Sequence, residues 1–238
     1  MLVELAWDRK GDEMLTLSLK SLPAQAVRGI YGPSKDQMPE RMRYLHPDAA
    51  ASYMEMADFA VVSDMFRSPE SSLQAVREKR GAQPPSFSAH NYGLAIDLDI
   101  DATKRRWNHG SKQQLDAEME SRGWFCHRRD HTMEFEAWHF NFLGLGAPIP
   151  AGIHSTAGLV EGRIVSLYGA SFEPDDTESQ RLLAGMRLYA GEIDGQIGPL
   201  SRESIRAFQR TWGMPDTGEL ETRTRRTLAY VTCARSLV

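Results

Sequence analysis

Cysteine is nearly absent, with two residues in 238. Cys126 and Cys233 have no framework spacing, so nothing points to a disulfide-stapled scaffold and buried free thiols are the expectation. No apolar run approaches the roughly 18 residues of a membrane span. Excess positive charge is also missing: 28 Lys and Arg against 32 Asp and Glu leave a formal charge of −4, which argues against general nucleic-acid binding. Near the start, Glu4, Asp8, Asp12 and Glu13 interrupt the apolar core that a signal peptide needs. Synthesis in the cytoplasm without a signal peptide is therefore expected. The remaining composition, 41% hydrophobic and 25% charged, is that of an ordinary globular chain. A length of 238 residues exceeds the common domain size of about 100–150, so more than one domain is expected.

Chemistry-bearing side chains concentrate in Ser88-Ala-His90-Asn-Tyr-Gly93-Leu-Ala95-Ile-Asp97 and in Glu136-Ala-Trp138-His139. Catalytic zinc sites take three ligands from His, Asp and Glu and keep an unligated carboxylate nearby to move protons. Two imidazoles, one carboxylate ligand and one spare carboxylate match that inventory. Leu94, Ile96, Leu98 and Ile100 alternate with Ala95, Asp97, Asp99 and Asp101, the period of a half-buried strand. Asp97 thus points away from the apolar side. Asp99 projects to the same face and is the rival ligand. Gly93 allows a turn or a close backbone approach between His90 and Asp97. A regular strand would place Glu136 and His139 on opposite faces, so a bulge or helical turn is predicted between them.

Other histidines receive plainer readings. His127 and His131 have the i, i+4 spacing that can hold a metal on a helix. Trp124-Phe125-Cys126 and Met133-Glu134-Phe135 read instead as two strands, which makes His127–His131 the polar tip of a hairpin. Trp138 is expected to pack between Glu136 and His139.

These two motifs resemble the zinc D-alanyl-D-alanine carboxypeptidases and dipeptidases, a family that includes phage L-alanyl-D-glutamate endolysins and is related to Hedgehog signalling domains. The resemblance implies that His90, Asp97 and His139 bind Zn2+ and that Glu136 is the catalytic base. Arg67, in Phe66-Arg67-Ser68-Pro69-Glu70, is similar to the family's arginine that faces the substrate near the developing negative charge. Ser88 is expected to orient the site through its hydroxyl.

Along the chain, Pro47 to about Ala60 predicts a helix and Ala60 to Phe66 a strand that delivers Arg67. Ser68-Pro69 can cap a second helix, Ser111 with Gln114 forms a capping-box pattern, and Gly123 suits a helix exit. The order of elements predicts an α+β zinc peptidase domain over 1–152, with a small antiparallel sheet and flanking helices. Gly144-Ala-Pro-Ile-Pro-Ala-Gly152 breaks the pattern, and a linker is expected over 153–162.

Residues 163–238 are expected to form a small three-helix domain with an internal repeat. Asp194-Gly195-Gln-Ile197-Gly-Pro-Leu-Ser201-Arg202 is echoed by Thr217-Gly218-Glu-Leu220-Glu-Thr-Arg-Thr224-Arg225. Each copy offers a glycine turn, an apolar anchor and a hydroxyl for capping a helix. With Gln180–Leu183 and Ala207–Gln209, the region resembles the common peptidoglycan-binding domain. Ile197, Phe208 and Leu220 are expected in its core, with Gln196 and Arg202 as exposed contact candidates. The two resemblances together imply a zinc metallopeptidase that acts on stem peptides at the bacterial cell wall or in the periplasm, reaching it through phage lysis or a secretion device. D,D-carboxypeptidase, endopeptidase and L-Ala-D-Glu endopeptidase activities all remain open, as does a non-catalytic zinc-containing wall-binding protein.

Overall fold

Local signals fix most element boundaries. The computed structural model describes residues 2–7, 15–29, 42–78, 83–108, 110–129, 136–168 and 173–234. Its strands are β1 (Leu2–Trp7), β2 (Leu15–Ser21), β3 (Arg28–Gly29), β4 (Tyr44–Leu45), β5 (Val61–Asp64), β6 (Ala95–Leu98), β7 (Trp124–Cys126) and β8 (His139–Phe142). Its helices are α1 (Pro47–Met54), α2 (Pro69–Arg77), α3 (Ile100–Arg106), α4 (Lys112–Glu120), α5 (Ala157–Tyr168), α6 (Asp176–Gly185), α7 (Pro199–Thr211) and α8 (Thr222–Ala234). None is long and apolar enough to cross a membrane. The expected strand at Met133–Phe135, and His131 with it, lies outside the described residues.

Capping explains the helix starts. The Ser68 hydroxyl accepts from Ser71 N at 3.2 Å and opens α2. Ser111 and Gln114 complete a reciprocal capping box on α4, satisfying amides that the first helical turn leaves unpaired.

The chain divides into two compact units. The first comprises Met1–Val3, Ser18–Arg67 and Ala89–Leu167. Within it a five-stranded sheet runs in the order β3-β5-β6-β8-β7. β3 and β5 are parallel and the other pairs antiparallel, so the sheet is mixed where a purely antiparallel one was expected. The register pairs Ile96 with Phe140 and Asp97 with His139, and Trp124 with Phe142. Because strand side chains alternate between faces, Ile96, Phe140, Phe142 and Trp124 share the buried core face. The Trp124 and Phe142 rings lie 5.0 Å apart there. Asp97, His139 and Asn141 belong to the opposite face, and that division of labour makes the site.

Two sequence expectations change within this unit. The alternating strand ends at Leu98, because the Asp99 carboxylate turns to accept from Ala102 N at 2.9 Å and caps α3. The expected linker to Gly162 contains the start of α5. Val160 and Ile164, one helical turn apart, are both buried, and that apolar pair outweighs the helix-weakening effect of Gly158 and Gly162.

The second unit comprises Glu4–Leu17, Ser68–Ser88 and Tyr168–Val238. Its grouping departs from the expected boundary at Gly152, since α2 and the residues after it belong with the carboxy-terminal helices. Thr227 on α8 donates to Pro85 O at 3.2 Å and its hydroxyl lies 3.0 Å from that of Ser86. The Arg223 guanidinium stacks on Phe87 at 4.6 Å. The three-helix expectation therefore gains α2 as a further helix.

The repeat is built on two buried glutamines. Gln180 Oε1 accepts from Asp194 N and Gly195 N at 3.0 and 2.8 Å, while its Nε2 reaches Gln196 O at 3.0 Å and Ser201 Oγ at 3.3 Å. In the second copy Gln209 Oε1 accepts from Gly218 N at 2.9 Å, and its Nε2 reaches Glu219 O at 3.2 Å and Thr224 Oγ1 at 3.0 Å. Each glutamine thus replaces the water that a turn backbone would otherwise need. The expected capping role of Ser201 is not observed: Gly198 is the N-cap of α7, without a side-chain bond, and Ser201 lies inside the first turn with its hydroxyl against Gln180 and Gln196 O.

Candidate functional site

Gly93 is where the first motif bends. Its φ is +65°, and a Cβ there would meet His46 N at 2.6 Å and Leu45 C at 2.9 Å. Only glycine satisfies both demands. The bend lets the 3-10 turn Ala89–Tyr92 lay His90 beside Asp97 on β6. The second motif also departs from a strand. Glu136 adopts φ +58°, His139 N donates back to Glu136 O at 3.0 Å, and β8 begins only at His139. That left-handed residue is the irregularity predicted between Glu136 and His139.

His90, Asp97 and His139 converge. His90 Nε2 lies 3.2 Å from Asp97 Oδ1 and 3.2 Å from His139 Nδ1, and His139 Nδ1 lies 2.8 Å from the same Oδ1. Their ligand atoms all fall within 4.8 Å of one another. The outer nitrogens settle what faces inward. His90 Nδ1 lies 2.5 Å from Met65 O, and a carbonyl only accepts, so that nitrogen carries the hydrogen and Nε2 presents a lone pair. His139 Nε2 lies 3.0 Å from Asn141 Oδ1, which leaves Nδ1 equally bare. With neutral imidazoles, two lone pairs and a carboxylate oxygen would face each other, a crowding that a shared cation or a proton on His139 relieves.

A zinc ion fits this donor set. Bonds of 2.0–2.1 Å to nitrogen and oxygen in a tetrahedral shell place neighbouring ligand atoms about 3.3 Å apart, close to the 2.8–3.2 Å spacings here. Imidazole and carboxylate ligands suit zinc, and outer hydrogen bonds to a carbonyl and an amide oxygen are the usual means of aiming metal-binding histidines.

Charge around the cluster is balanced by pairing. Burial would raise the Asp97 pKa, but His90 and then His139 beside it outweigh that and hold the carboxyl well below its usual range. Burial opposes the charged form of His139, while Asp97 and, further off, Glu136 overrule it and raise its pKa. Arg67 closes the other side of Asp97, with Nη2 at 3.3 Å from Oδ2 and Nε at 2.5 Å from Asp64 Oδ2. The backbone holds it in place: Arg67 N donates to His90 O at 3.2 Å, and Asn91 Nδ2 donates to Arg67 O at 2.9 Å.

Glu136 stands outside the cluster with its side chain 33% exposed, which keeps its carboxylate available. Ser88 is half-buried in the bend two residues before His90. Asp99 is spent on the α3 cap and does not join the ligand atoms. Trp138 corrects an expectation, because at 44% exposure it projects outward instead of packing between its neighbours. His127 is the residue that the hairpin reading missed. Its Nε2 lies 3.7 Å from Glu136 Oε2 and its ring centroid 5.6 Å from that of His139. Burial and the adjacent His139 hold its pKa below the usual value. Only the strand register could have revealed it, since Cys126 pairs with Phe140 and the next residue therefore opposes His139.

In the second unit, Ile197 and Leu220 are half-buried. They line an open depression of about 420 Å³ with Asp176, Arg202, Glu219, Glu221 and Arg225. Equivalent positions of the two repeats thus meet in one place, and these two apolar anchors are not core residues. Phe208 is fully buried as expected, and Gln196 is exposed.

Comparison with known proteins bears on this unit. Residues 173–228 match the profile of the family described as "Putative peptidoglycan binding domain". The chain is also similar to the "Putative OxPP cycle protein OpcA" of Synechococcus elongatus, at 36% identity over 75 residues, which is 32% of this chain and 16% of that relative. The match thus spans a minor part of the relative's length. The family's description links residues 173–228 to peptidoglycan.

Proposed function

We propose that the chain is a zinc-dependent peptidase of peptidoglycan stem peptides, a D,D-carboxypeptidase or endopeptidase, held on its substrate by the domain at 173–228. The observation that carries this reading is the convergence of the ligand atoms of His90, Asp97 and His139, with the carboxylate of Glu136 three residues before His139. Wall binding would raise the local concentration of scissile bonds, a gain in effective concentration that needs no new contact at the reacting atoms.

Zinc held by His90, Asp97 and His139 would supply Lewis-acid polarisation and bring the pKa of water toward about 7. Glu136 takes the proton from the attacking water and returns it to the leaving amine, a role typically worth about 10²–10⁴-fold. Its left-handed backbone aims the carboxylate toward His127 and the cluster instead of along the strand. Arg67, pinned by Asp64 and Asp97, supplies a fixed positive charge for the tetrahedral oxyanion or for a substrate carboxylate. Ser88 helps orient the segment that carries His90.

Glutamate at position 136 favours the D,D-carboxypeptidase branch, since the L-Ala-D-Glu endopeptidases of the resembling family often carry aspartate there. The attached wall-binding domain favours an endolysin-like role, with phage lysis or a secretion device as the route to the wall. Mass spectrometry of fragments released from purified sacculi separates these outcomes. Free D-alanine identifies the carboxypeptidase, cleaved cross-links the endopeptidase, and a new D-glutamate amino terminus the L-Ala-D-Glu enzyme. Release of none of these with zinc present would leave a non-catalytic wall-binding protein.

A further inference from the structure

His139 can offer Nδ1 to a metal only while its proton is on Nε2, and Nε2 faces an amide. Asparagine is ambivalent at such a position: its oxygen would fix the Nε2–H tautomer, whereas its NH2 group would force the proton to Nδ1 and close the ligand site. Something beyond Asn141 must decide which end points at the imidazole.

That decision falls to Thr156. Asn141 Nδ2 lies 3.0 Å from Thr156 Oγ1, and both residues are buried, at 1% and 0% exposure. Around the same hydroxyl lie two carbonyl oxygens, Cys126 O at 3.4 Å and His127 O at 3.5 Å. Carbonyls cannot donate, so the hydroxyl hydrogen turns to them and its lone pair faces Asn141. The amide must then present NH2 to Thr156 and oxygen to His139. Reversing it would draw the hydroxyl hydrogen to Asn141 and leave the buried Cys126 O facing a hydroxyl lone pair. Thr156 itself is tied to the sheet, since its N donates to His127 O at 3.0 Å.

We propose that Thr156 is a positioning residue of the metal centre: through Asn141 it locks His139 in the tautomer whose Nδ1 lone pair joins His90 and Asp97. The inference rests on the metal reading, and it assigns a role to a residue outside both motifs. Partners of this kind typically change metal affinity by 10–100-fold.

Two measurements test it. In metal-free Asp97→Ala protein with ¹⁵N-labelled histidine at alkaline pH, where no carboxylate claims the Nδ1 proton, His139 shows a protonated Nε2 and a bare Nδ1, while adding Thr156→Val shifts population to the opposite tautomer. Thr156→Val also weakens zinc binding about 10-fold by competition with a chelating indicator, and Thr156→Ser restores it. Asn141→Asp provides an independent arm. A carboxylate offers oxygen at both ends and cannot reverse, so in that background Thr156→Val no longer changes zinc affinity. If Thr156→Val misfolds, Thr156→Ala carries the same comparison without a misplaced methyl group. An unchanged tautomer and zinc affinity in the folded threonine variants would overturn the proposal. Wild-type protein that binds no zinc would instead refute the metal reading, and the tautomer measurement would still judge the relay.

Discussion

Asp97 and His139 are paired across adjacent strands, β6 and β8, and their side chains meet at 2.8 Å between Oδ1 and Nδ1. The register of one strand pair therefore brings two motifs 42 residues apart into one cluster. A one-residue slip would send His139 to the core face.

Metal content should discriminate sharply between neighbouring aspartates. His90→Ala, Asp97→Ala and His139→Ala are each expected to deplete zinc from about one per chain. Asp99→Ala should retain it and lose about 1 kcal/mol of stability, because its carboxylate caps α3. Elemental analysis with denaturant titration checks both halves. Metal loss in Asp99→Ala with full metal in Asp97→Ala would show the ligand register to be wrong.

Glu136 should show a conflict between stability and chemistry. A non-glycine residue at φ +58° carries a backbone cost of about 1 kcal/mol or more. Glu136→Gly should therefore fold at least as stably as wild type while losing turnover. Glu136→Gln should keep zinc and sacculus binding while turnover falls about 10²-fold or more. Near-normal hydrolysis by Glu136→Gln would remove it as the base.

Arg67 is bonded to two carboxylates, so its loss should be felt in catalysis before it is felt in metal content. Arg67→Ala is expected to lower kcat/KM by about 10²-fold or more, the scale of removing one oxyanion-stabilising group, with zinc retained. Steady-state kinetics on a soluble stem peptide would reveal it. Unchanged kinetics would contradict an electrostatic role.

In the second unit, Gln180→Ala leaves Asp194 N, Gly195 N and Ser201 Oγ without their buried partner. A loss of roughly 2–4 kcal/mol is expected from such unsatisfied groups. Gln209→Ala should behave alike for the second copy. Urea titration followed by tryptophan fluorescence would read both changes. A difference under 0.5 kcal/mol, the roughly neutral range of surface substitutions, would deny the glutamines their anchoring role.

What was legible in the sequence was local. The Ser111–Gln114 capping box, the glycine bend at 93, the alternation of β6 and the need for an irregular turn at Glu136 all follow from spacing and side-chain chemistry. The misreadings share a cause, which is competition from a partner distant in sequence or from a backbone amide. Asp99 looked like a strand residue because alternation cannot register that an exposed amide of α3 would claim its carboxylate. Residues 68–88 read as part of the first domain, since their attachment to Thr227 and Arg223 depends on contacts about 140 residues away. His127 and Thr156 entered the site through strand register and a buried hydrogen-bond chain. Neither leaves a local pattern.

The most direct test of the central claim is digestion of purified sacculi by wild-type protein before chelation, after chelation, and after zinc is restored, with Asp97→Ala in parallel. New amino or carboxyl termini should appear with wild-type protein, disappear on chelation and return with zinc, while Asp97→Ala binds the sacculi and releases nothing. Hydrolysis that persists in thoroughly chelated protein or in Asp97→Ala would contradict the account, as would no cleavage of any stem-peptide bond by the zinc-loaded wild type.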